Sequence, residues 1–520
     1  MMIFTTKSVK IKYDNISISL VIFTTYVLVI NPSMPTQGIS SGFQYSYFLL
    51  LFLIFNIMHK EDMRINYYII VGLCFLQSIY GILQFFHIIT HNYPFSIVGT
   101  FDNPAGFAAS LSAGFTFCLA LIGKVKRLNY IATIAMSVIG VGIILSQSRA
   151  GMITIFSILL IFFYIKFKHK LAKKTIIYFI TFILLSLFTI VFVFKRDSAI
   201  GRLLIWETTI NMIVQKPALG WKNITFESQY MLHQANYFKN HPNSPFIPLA
   251  DNVTHPFNEL LSFLFQFGFV GLIFLFIVLY MIFKERDKKT IIYLLSIFSI
   301  LIFGCFSYPL RYPFVWVILA LCLSKLSNNS DNRKKVYVLN LNTFHKTLPF
   351  IIVLFGCYFL IKDVNFEYSW NRTARLSLLG DTNNLMGHYK KLNENWNGNP
   401  LFLYNYGAEL NFIQENEKSI HILKKCILYW NDYDVQMILG DNYFKLERWD
   451  LSAKSYEMAS KMCPNRFEPL YMLHQIYVKQ GDAKNANIIA KKIMIMDIKI
   501  PSSRINFIRK EMEIYLTDKI

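Results

Sequence analysis

Charge is what this chain has least of. Only 16% of its 520 residues are Asp, Glu, Lys or Arg, while 54% are hydrophobic. A soluble domain carries about a quarter charged residues, so the balance excludes an ordinary soluble enzyme and places the chain in the membrane class. Nucleotide chemistry has no footing either. There is no Gly-rich phosphate loop, which argues against a sugar-nucleotide donor, and the membrane part has no Asp-x-Asp metal motif. Two carboxylates flanking a glycosidic bond, as a hydrolase needs, are not evident. The seven cysteines show no zinc-site spacing. Cys74, Cys118, Cys305, Cys322 and Cys357 sit in apolar spans, where a thiol is a small buried hydrophobe. Cys426 and Cys463 lie in the C-terminal region, either as free thiols or, on an oxidising side of a membrane, as a disulfide. No small-residue cleavage site follows Lys7, Lys10 and Lys12, so the first apolar span is expected to be a retained helix.

What the chain does have is apolar runs. They fall at about 16–30, 45–58, 67–90, 104–123, 129–146, 150–167, 175–194, 257–283, 290–307, 311–324 and 347–362. Several are shorter than the roughly 20 residues a crossing helix needs, so their ends are expected to extend into the flanking loops. The net charge of +21 would suit nucleic acid, but the basic residues are placed otherwise. With the N-terminus in the cytoplasm, the inside segments hold runs such as Lys166, Lys168, Lys170, Lys173 and Lys174, or Lys284, Arg286, Lys288 and Lys289. The outside segments 31–44 and 91–103 hold no Lys or Arg. This is the positive-inside pattern; it explains much of the charge and implies no nucleic-acid partner. The expected fold is all-α, a polytopic bundle of about 11 transmembrane helices with a large extracytoplasmic loop and a C-terminal α-helical repeat domain. An odd helix count puts the C-terminus outside. The expected division is a membrane domain over 1–362, holding a large loop at 195–256, and a repeat domain over 363–520.

After Lys362 the apolar runs stop and amphipathic spacing begins. A 33-residue repeat appears in Ala374, Gly407, Gly440 and Leu473, in Gly387, Ile420, Ala453 and Ala486, and in Leu423, Tyr456 and Ile489. The first unit is degenerate, with Ser377 and Lys390 where the others are apolar. Paired helices at this period resemble tetratricopeptide repeats, whose usual period is 34. Such arrays stack into a scaffold that binds another protein chain, and the plainer alternative is a helical domain without a partner.

Four polar segments face the outside together on this topology. They are Gly99–Gly106, Ser146–Gly151, the loop 195–256 and Tyr308–Pro313. They place Arg149, Arg202 and Arg311 on a face that, Lys195 and Arg196 aside, is poor in positive charge near the membrane. A guanidinium pairs bidentately with phosphate oxygens and stays charged, so three on one face suit a diphosphate. The plainer fate of each is to reach lipid head groups singly. Three histidines, His233, His241 and His255, lie in the loop. His255 stands just before the next apolar span, where a neutral imidazole can take a proton from an acceptor hydroxyl. Glu259 or Glu207 would orient it or act as the base instead.

Four runs then carry a resemblance: Gly201–Glu207 (GRLLIWE), Pro217–Trp221 (PALGW), His255–Leu261 (HPFNELL) and Gln266–Gly271 (QFGFVG). With the upstream GTFDNP and SQSRAG elements, they resemble in order and spacing the O-antigen ligase and polymerase superfamily over roughly residues 99–272. The resemblance implies a metal-independent, cofactor-free glycosyltransferase of the bacterial inner membrane. Its members move a glycan from an undecaprenyl diphosphate carrier, on the periplasmic face, to lipid A-core, to another glycan or to a protein hydroxyl. Carried over, Arg202 holds the donor diphosphate and Arg149 matches the upstream arginine. His255 falls in the histidine motif, while Asn103, Glu207, Asn258 and Glu259 support the site. Many relatives have His immediately before the motif Asn; here Phe257 stands there and His255 takes the role of candidate base.

The leading expectation is O-antigen ligation to lipid A-core, with a polysaccharide polymerase and a protein O-oligosaccharyltransferase as the alternatives. The partners expected are the lipid-linked donor, the acceptor, membrane lipids and a protein on the repeat domain. A transporter or flippase would need ionisable residues paired near the bilayer midplane, and the spans are nearly free of them.

Overall fold

The computed structural model describes residues 8–30, 41–57, 64–90, 94–122, 125–167, 178, 181, 196–284, 290–329, 335–340, 343–395 and 398–517. Strand β1 (Ser8–Tyr13) precedes α1 (Asn15–Ile30), α2 (Ser41–Ile57), α3 (Arg64–Phe85), α4 (Pro104–Leu121), α5 (Lys126–Leu145) and α6 (Arg149–Phe167). The large loop supplies α7 (Arg196–Gln215) and α8 (Phe226–Asn240). It is followed by α9 (Glu259–Lys284), α10 (Ile291–Gly304), α11 (Pro313–Asn329), β2 (Lys335–Asn340) and α12 (Thr343–Leu376). Among the described residues, five segments are long and apolar enough to cross a membrane: Tyr67–Phe85, Pro104–Leu121, Lys126–Leu145, Arg149–Lys166 and Glu259–Lys284. Shorter apolar helices run over Asn15–Ile30, Tyr45–Asn56, Ile291–Gly304 and Pro313–Ser327. The chain is thus a multi-pass membrane protein. The expected span at 175–194 lies outside the described residues except for 178 and 181. The expected span at 347–362 is part of α12, which continues without a break past the change of composition at 362.

The fold is all-α, with one short two-stranded pair beside the helices. Strands β1 and β2 pair antiparallel, from Ser8↔Asn340 to Tyr13↔Lys335. Both are short runs rich in Val, Ile and Tyr, which favour the extended chain.

Helix α4 is the axis of the bundle. Of its apolar stretch, 83% is buried, and it packs against α3, α5, α6, α10 and α11. Its sequence explains this, because PAGFAASLSAGF puts small residues on every side. In lipid, helices gain by close backbone approach, which small residues allow. A Cβ on Gly114 would stand 2.2 Å from Cys74 Sγ, and one on Gly106 2.4 Å from the Tyr312 ring. Serines from α10 tie to the same axis: Ser296 Oγ donates to Ala113 O at 3.0 Å and Ser299 Oγ to Ser112 O at 2.8 Å.

Helix α9 is two helices joined at a break. Gly268 has φ 63° and ψ −167°, a conformation essentially confined to glycine. The chain between α7 and α8 satisfies the broken backbone. Trp221 N donates to Phe265 O at 2.7 Å and Lys222 N to Gln266 O at 3.2 Å. In return Phe269 N donates to Pro217 O at 2.8 Å and Val270 N to Ala218 O at 3.1 Å. The Pro217–Trp221 and Gln266–Gly271 motifs are therefore two halves of one latch that fixes the large loop to a membrane helix. A Cβ on Gly268 would meet Ala218 O at 2.4 Å. Gly268→Ala is expected to cost on the order of 2–3 kcal/mol from backbone strain alone, read as a lowered thermal unfolding midpoint in detergent.

Beyond α12, the segment α13 (Thr382–Asn395) leads into helical hairpins. These are α14 (Pro400–Phe412) with α15 (Asn416–Cys426), α16 (Tyr433–Lys445) with α17 (Trp449–Met462), and α18 (Glu468–Lys479) with α19 (Ala483–Ile495). Helix α20 (Ser503–Thr517) follows. The 33-residue series now has a physical meaning. Gly407 and Gly440 lie against Leu423 and Tyr456, where a Cβ would come within 2.6 Å and 2.8 Å. Ser419 Oγ donates to Gly407 O at 2.6 Å, and Ser452 Oγ repeats the bond to Gly440 O at 2.8 Å. Cys426 and Cys463 are both free and buried. They belong to different core clusters, and Cys426 Sγ donates to Pro400 O at 3.3 Å.

The hairpins do not stand apart from the membrane part. Helix α17 packs on α8 of the large loop, and Trp221, Phe226, Tyr230 and Met231 share one core with Tyr433, Ala459 and Met462. Repeat region and loop therefore lie on the same side of the bundle. The β-pair lies at the other end: α11 starts beside Tyr312 and reaches Ser327, whose Oγ donates to Asp14 at 2.8 Å, next to β1. Its 17 residues separate the two ends by about 25 Å.

Candidate active site

Three of the four polar segments meet on the face carrying the large loop, and the fourth closes on it through Arg149. Asn103 caps α4 because Pro104 occupies the first turn and leaves two amides unsatisfied. Its Oδ1 accepts from Ala105 N at 2.9 Å and Gly106 N at 3.0 Å. The same oxygen accepts from Tyr312 Oη at 3.0 Å, and Asn103 Nδ2 donates to Asp102 Oδ1 at 3.0 Å. The cap thus ties the Asp102 turn to the Tyr308–Pro313 turn.

Arg311 ends a short 3-10 turn, Pro309–Arg311. Glu259, at the start of α9, holds that turn by accepting from Leu310 N at 2.8 Å. Asn258 works beside it: its Oδ1 accepts from Leu261 N at 3.1 Å, and its Nδ2 donates to Cys305 O at 3.1 Å. Both residues join the start of α9 to the end of α10. Glu207 lies exposed on α7.

A continuous chain of contacts links the candidate bases and cations. Arg311 Nη1 donates to His255 Nε2 at 2.5 Å, and its Nη2 lies 3.9 Å from Asp102 Oδ2. The ring of His255 packs on Tyr308 with centroids 4.8 Å apart. Tyr308 touches Phe257 at 5.5 Å, and the Arg202 guanidinium lies over the Phe257 ring at 5.3 Å. Arg202 Nη1 donates to Phe306 O at 2.8 Å, and Arg149 Nη2 donates to Ser198 Oγ at 2.8 Å. The structure therefore brings Arg202, Arg311 and His255 together with Asn103 and Tyr308. His233 and His241 go elsewhere, to Gln229 O at 3.0 Å and Tyr237 O at 3.0 Å on α8.

Electrostatics follow from burial and from the clustered positive charge. Burial, reinforced by Arg311, pushes the His255 imidazole down to about 3. With Nε2 accepting from Arg311, the ring proton sits on Nδ1. Burial first, and then the charge of Arg149, draws the Arg202 guanidinium down to about 10. It remains a cation at neutral pH, held at a place that lacks an anion among the described residues. Burial also raises the Tyr308 phenol, against the pull of Arg311 and Arg202.

Two site residues escaped sequence reasoning. Tyr308 stands at the centre of the aromatic contacts, and its only signal was the Tyr-Pro pairs bracketing Arg311. Phe257, which replaces the histidine of many relatives, is the shelf under Arg202. It sits at φ 51°, a left-handed conformation uncommon for a bulky residue and typical of functional turns. Among the described residues, no group of three or more His, Cys, Asp or Glu is placed to hold a metal ion.

Residues 131–276 match the family described as O-Antigen ligase. The chain carries an O-antigen ligase domain within a multi-helix membrane protein. No curated protein matches the chain. The matched stretch holds Arg149, Arg202 and His255 and stops before Arg311; Asn103 precedes it. The latter two are brought to the cluster by the cap of α4 and by the turn before α11.

Proposed function

We propose that this chain transfers a glycan from an undecaprenyl-diphosphate-linked donor to an acceptor hydroxyl at the periplasmic face of the bacterial inner membrane. Its reading as an O-antigen ligase takes lipid A-core as the acceptor. The observation that carries it is the half-buried Arg202 cation, linked through Phe257 and Tyr308 to the Arg311–His255 pair, within a domain whose family performs O-antigen ligase or polymerase-type glycan transfer. Arg202 and Arg149 would take the diphosphate oxygens, and Arg311 would turn from His255 towards the same charge. That movement frees the Nε2 lone pair. The acceptor oxygen then attacks the sugar C1 while His255 Nε2 takes its proton. The C1–O bond to phosphate breaks, and its electron pair leaves on undecaprenyl diphosphate, which the guanidinium groups stabilise. Glu259, through Leu310, and Asn258, through the α9–α10 junction, would keep Arg311 within reach.

A protein acceptor is the second reading, supported by the helical hairpins packed beside the site. Deletion of the gene separates the readings. Loss of glycan from lipid core supports a ligase, loss of long polymer a polymerase, and loss from glycoproteins an oligosaccharyltransferase. The face is tested separately by placing Glu207→Cys on the exposed side of α7, in a chain carrying Cys305→Ser. A membrane-impermeant maleimide should label it in spheroplasts above the parent level. Labelling from inverted vesicles alone overturns the periplasmic assignment.

A further inference from the structure

The stretch Ala250–Asn258, which carries His255, has no regular secondary structure apart from bends. Apart from two short local bonds, Ala250 N to Ile247 O and Asn252 N to Asp251 Oδ1, its polar groups are satisfied by partners elsewhere. For Ala250, Asp251 and Asn252 most of those partners come from the C-terminal hairpins. Asn465 Nδ2 donates to Pro248 O at 3.2 Å and to Ala250 O at 3.0 Å. Arg466 Nη2 meets Asp251 Oδ1 at 3.0 Å. Asn252 accepts from Tyr433 N at 3.2 Å and donates to Asp434 Oδ2 at 2.8 Å. Gln234, fully buried on α8, spans the junction. Its single Nε2 donates to Asp251 O at 3.2 Å and to Met462 O at 2.7 Å, while Tyr230 Oη donates to its Oε1 at 3.0 Å. Val253 then enters the core shared with Tyr433, Ala459 and Met462. From His255 onward the membrane side takes over: His255 Nε2 accepts from Arg311 and its ring packs on Tyr308, and the Pro256 carbonyl accepts from Trp206 Nε1 at 3.0 Å.

We propose that the helical hairpins are a positioning element for His255: Asn465 and Arg466, with Gln234 of α8 bridging to Met462, strap the segment 248–252 and so place the imidazole against Arg311. The proposal rests on His255 being the base of the transfer. It assigns the C-terminal region a part in the reaction itself, in addition to any partner it binds. Hydrogen bonds of this kind are individually modest, but a base displaced by about 1 Å can lose on the order of 100-fold in rate. Arg202 and Arg149 lie outside the strap, so cutting it should leave donor binding alone.

The test compares wild type with Asn465→Ala/Arg466→Ala, at a half-buried and an exposed position, and with Arg466→Lys, which keeps the ion pair. With purified full-length protein and a polyprenyl diphosphate glycan, the double variant is expected to lose at least about tenfold in kcat with the donor KM within about twofold. Arg466→Lys should stay near wild type. A second readout is independent of turnover. The rate of carbethoxylation of His255 by diethyl pyrocarbonate, read by peptide mass spectrometry, should rise in the double variant as the imidazole leaves Arg311. An unchanged kcat with unchanged carbethoxylation overturns the strap. If wild type shows no transfer at all, the functional reading fails, and the carbethoxylation rates still decide whether the hairpins hold His255 in place.

Discussion

Arg202→Ala lowers glycan transfer by about 10²–10³-fold while leaving insertion and abundance intact. The side chain makes one hydrogen bond, to Phe306 O, and lies over Phe257. A guanidinium has five donors in a planar fork, so most of its capacity is directed to what arrives in the site. Burial strengthens any charge contact it makes with a diphosphate, because the local dielectric is low. Removing it leaves the Phe306 carbonyl at a loop end, a modest structural loss. It takes away charge that counts most when the bond to phosphate breaks. Arg202→Lys is expected to recover little, since an ammonium offers neither the fork nor the flat face that rests on Phe257. Steady-state transfer with a purified protein, normalised to folded protein, checks both variants. Wild-type turnover by a well-folded Arg202→Ala protein sinks the role.

His255→Ala is expected to cost about 10²–10⁴-fold in kcat, the range for a positioned general base. The accompanying pH profile carries its own sign. An imidazole held down to about 3 stays neutral, and so competent to accept a proton, far below the usual histidine range. The acid limb of kcat/KM, which reports the free enzyme, should therefore fall near 3 and not near 6.5. Arg311→Ala removes the cation that reinforces the shift, so its acid limb should move upward, towards the ordinary histidine value. It should also weaken donor binding, through the loss of a phosphate partner. An acid limb near 6.5 in wild type would overturn the buried, Arg311-paired state of the imidazole, and a limb and kcat unchanged in His255→Ala would show that the proton acceptor is some other group.

The latch and the site were legible in the sequence to different degrees. The spacing of apolar runs locates most of the described apolar helices to within a few residues, because a lipid-facing helix must be continuously apolar, while α12 runs on past its expected end to Leu376. The 33-residue series marks close helix pairs, since only glycine or a small partner admits Leu423 and Tyr456 at that distance. The two halves of the 217–222 and 265–270 latch were visible as motifs, but their pairing was not. Main-chain bonds across fifty residues leave no trace beyond the glycines that make them fit. The β-pair was missed for the same reason, its strands being more than three hundred residues apart.

The site followed the same division. Arg149, Arg202, Arg311 and His255 were readable as candidates, because cations and imidazoles near an apolar span are costly unless they serve something. Composition and periodicity alone determined the membrane class, the helix pattern and the clustering of those groups in loops. The tertiary structure decided that Arg311 bonds His255, that Phe257 and Tyr308 form the bridge to Arg202, and that the C-terminal hairpins bond the stretch leading to His255. Burial and period are local properties that each residue reports for itself. A contact between residues 255 and 311, or 465 and 250, exists only once the chain has closed on itself.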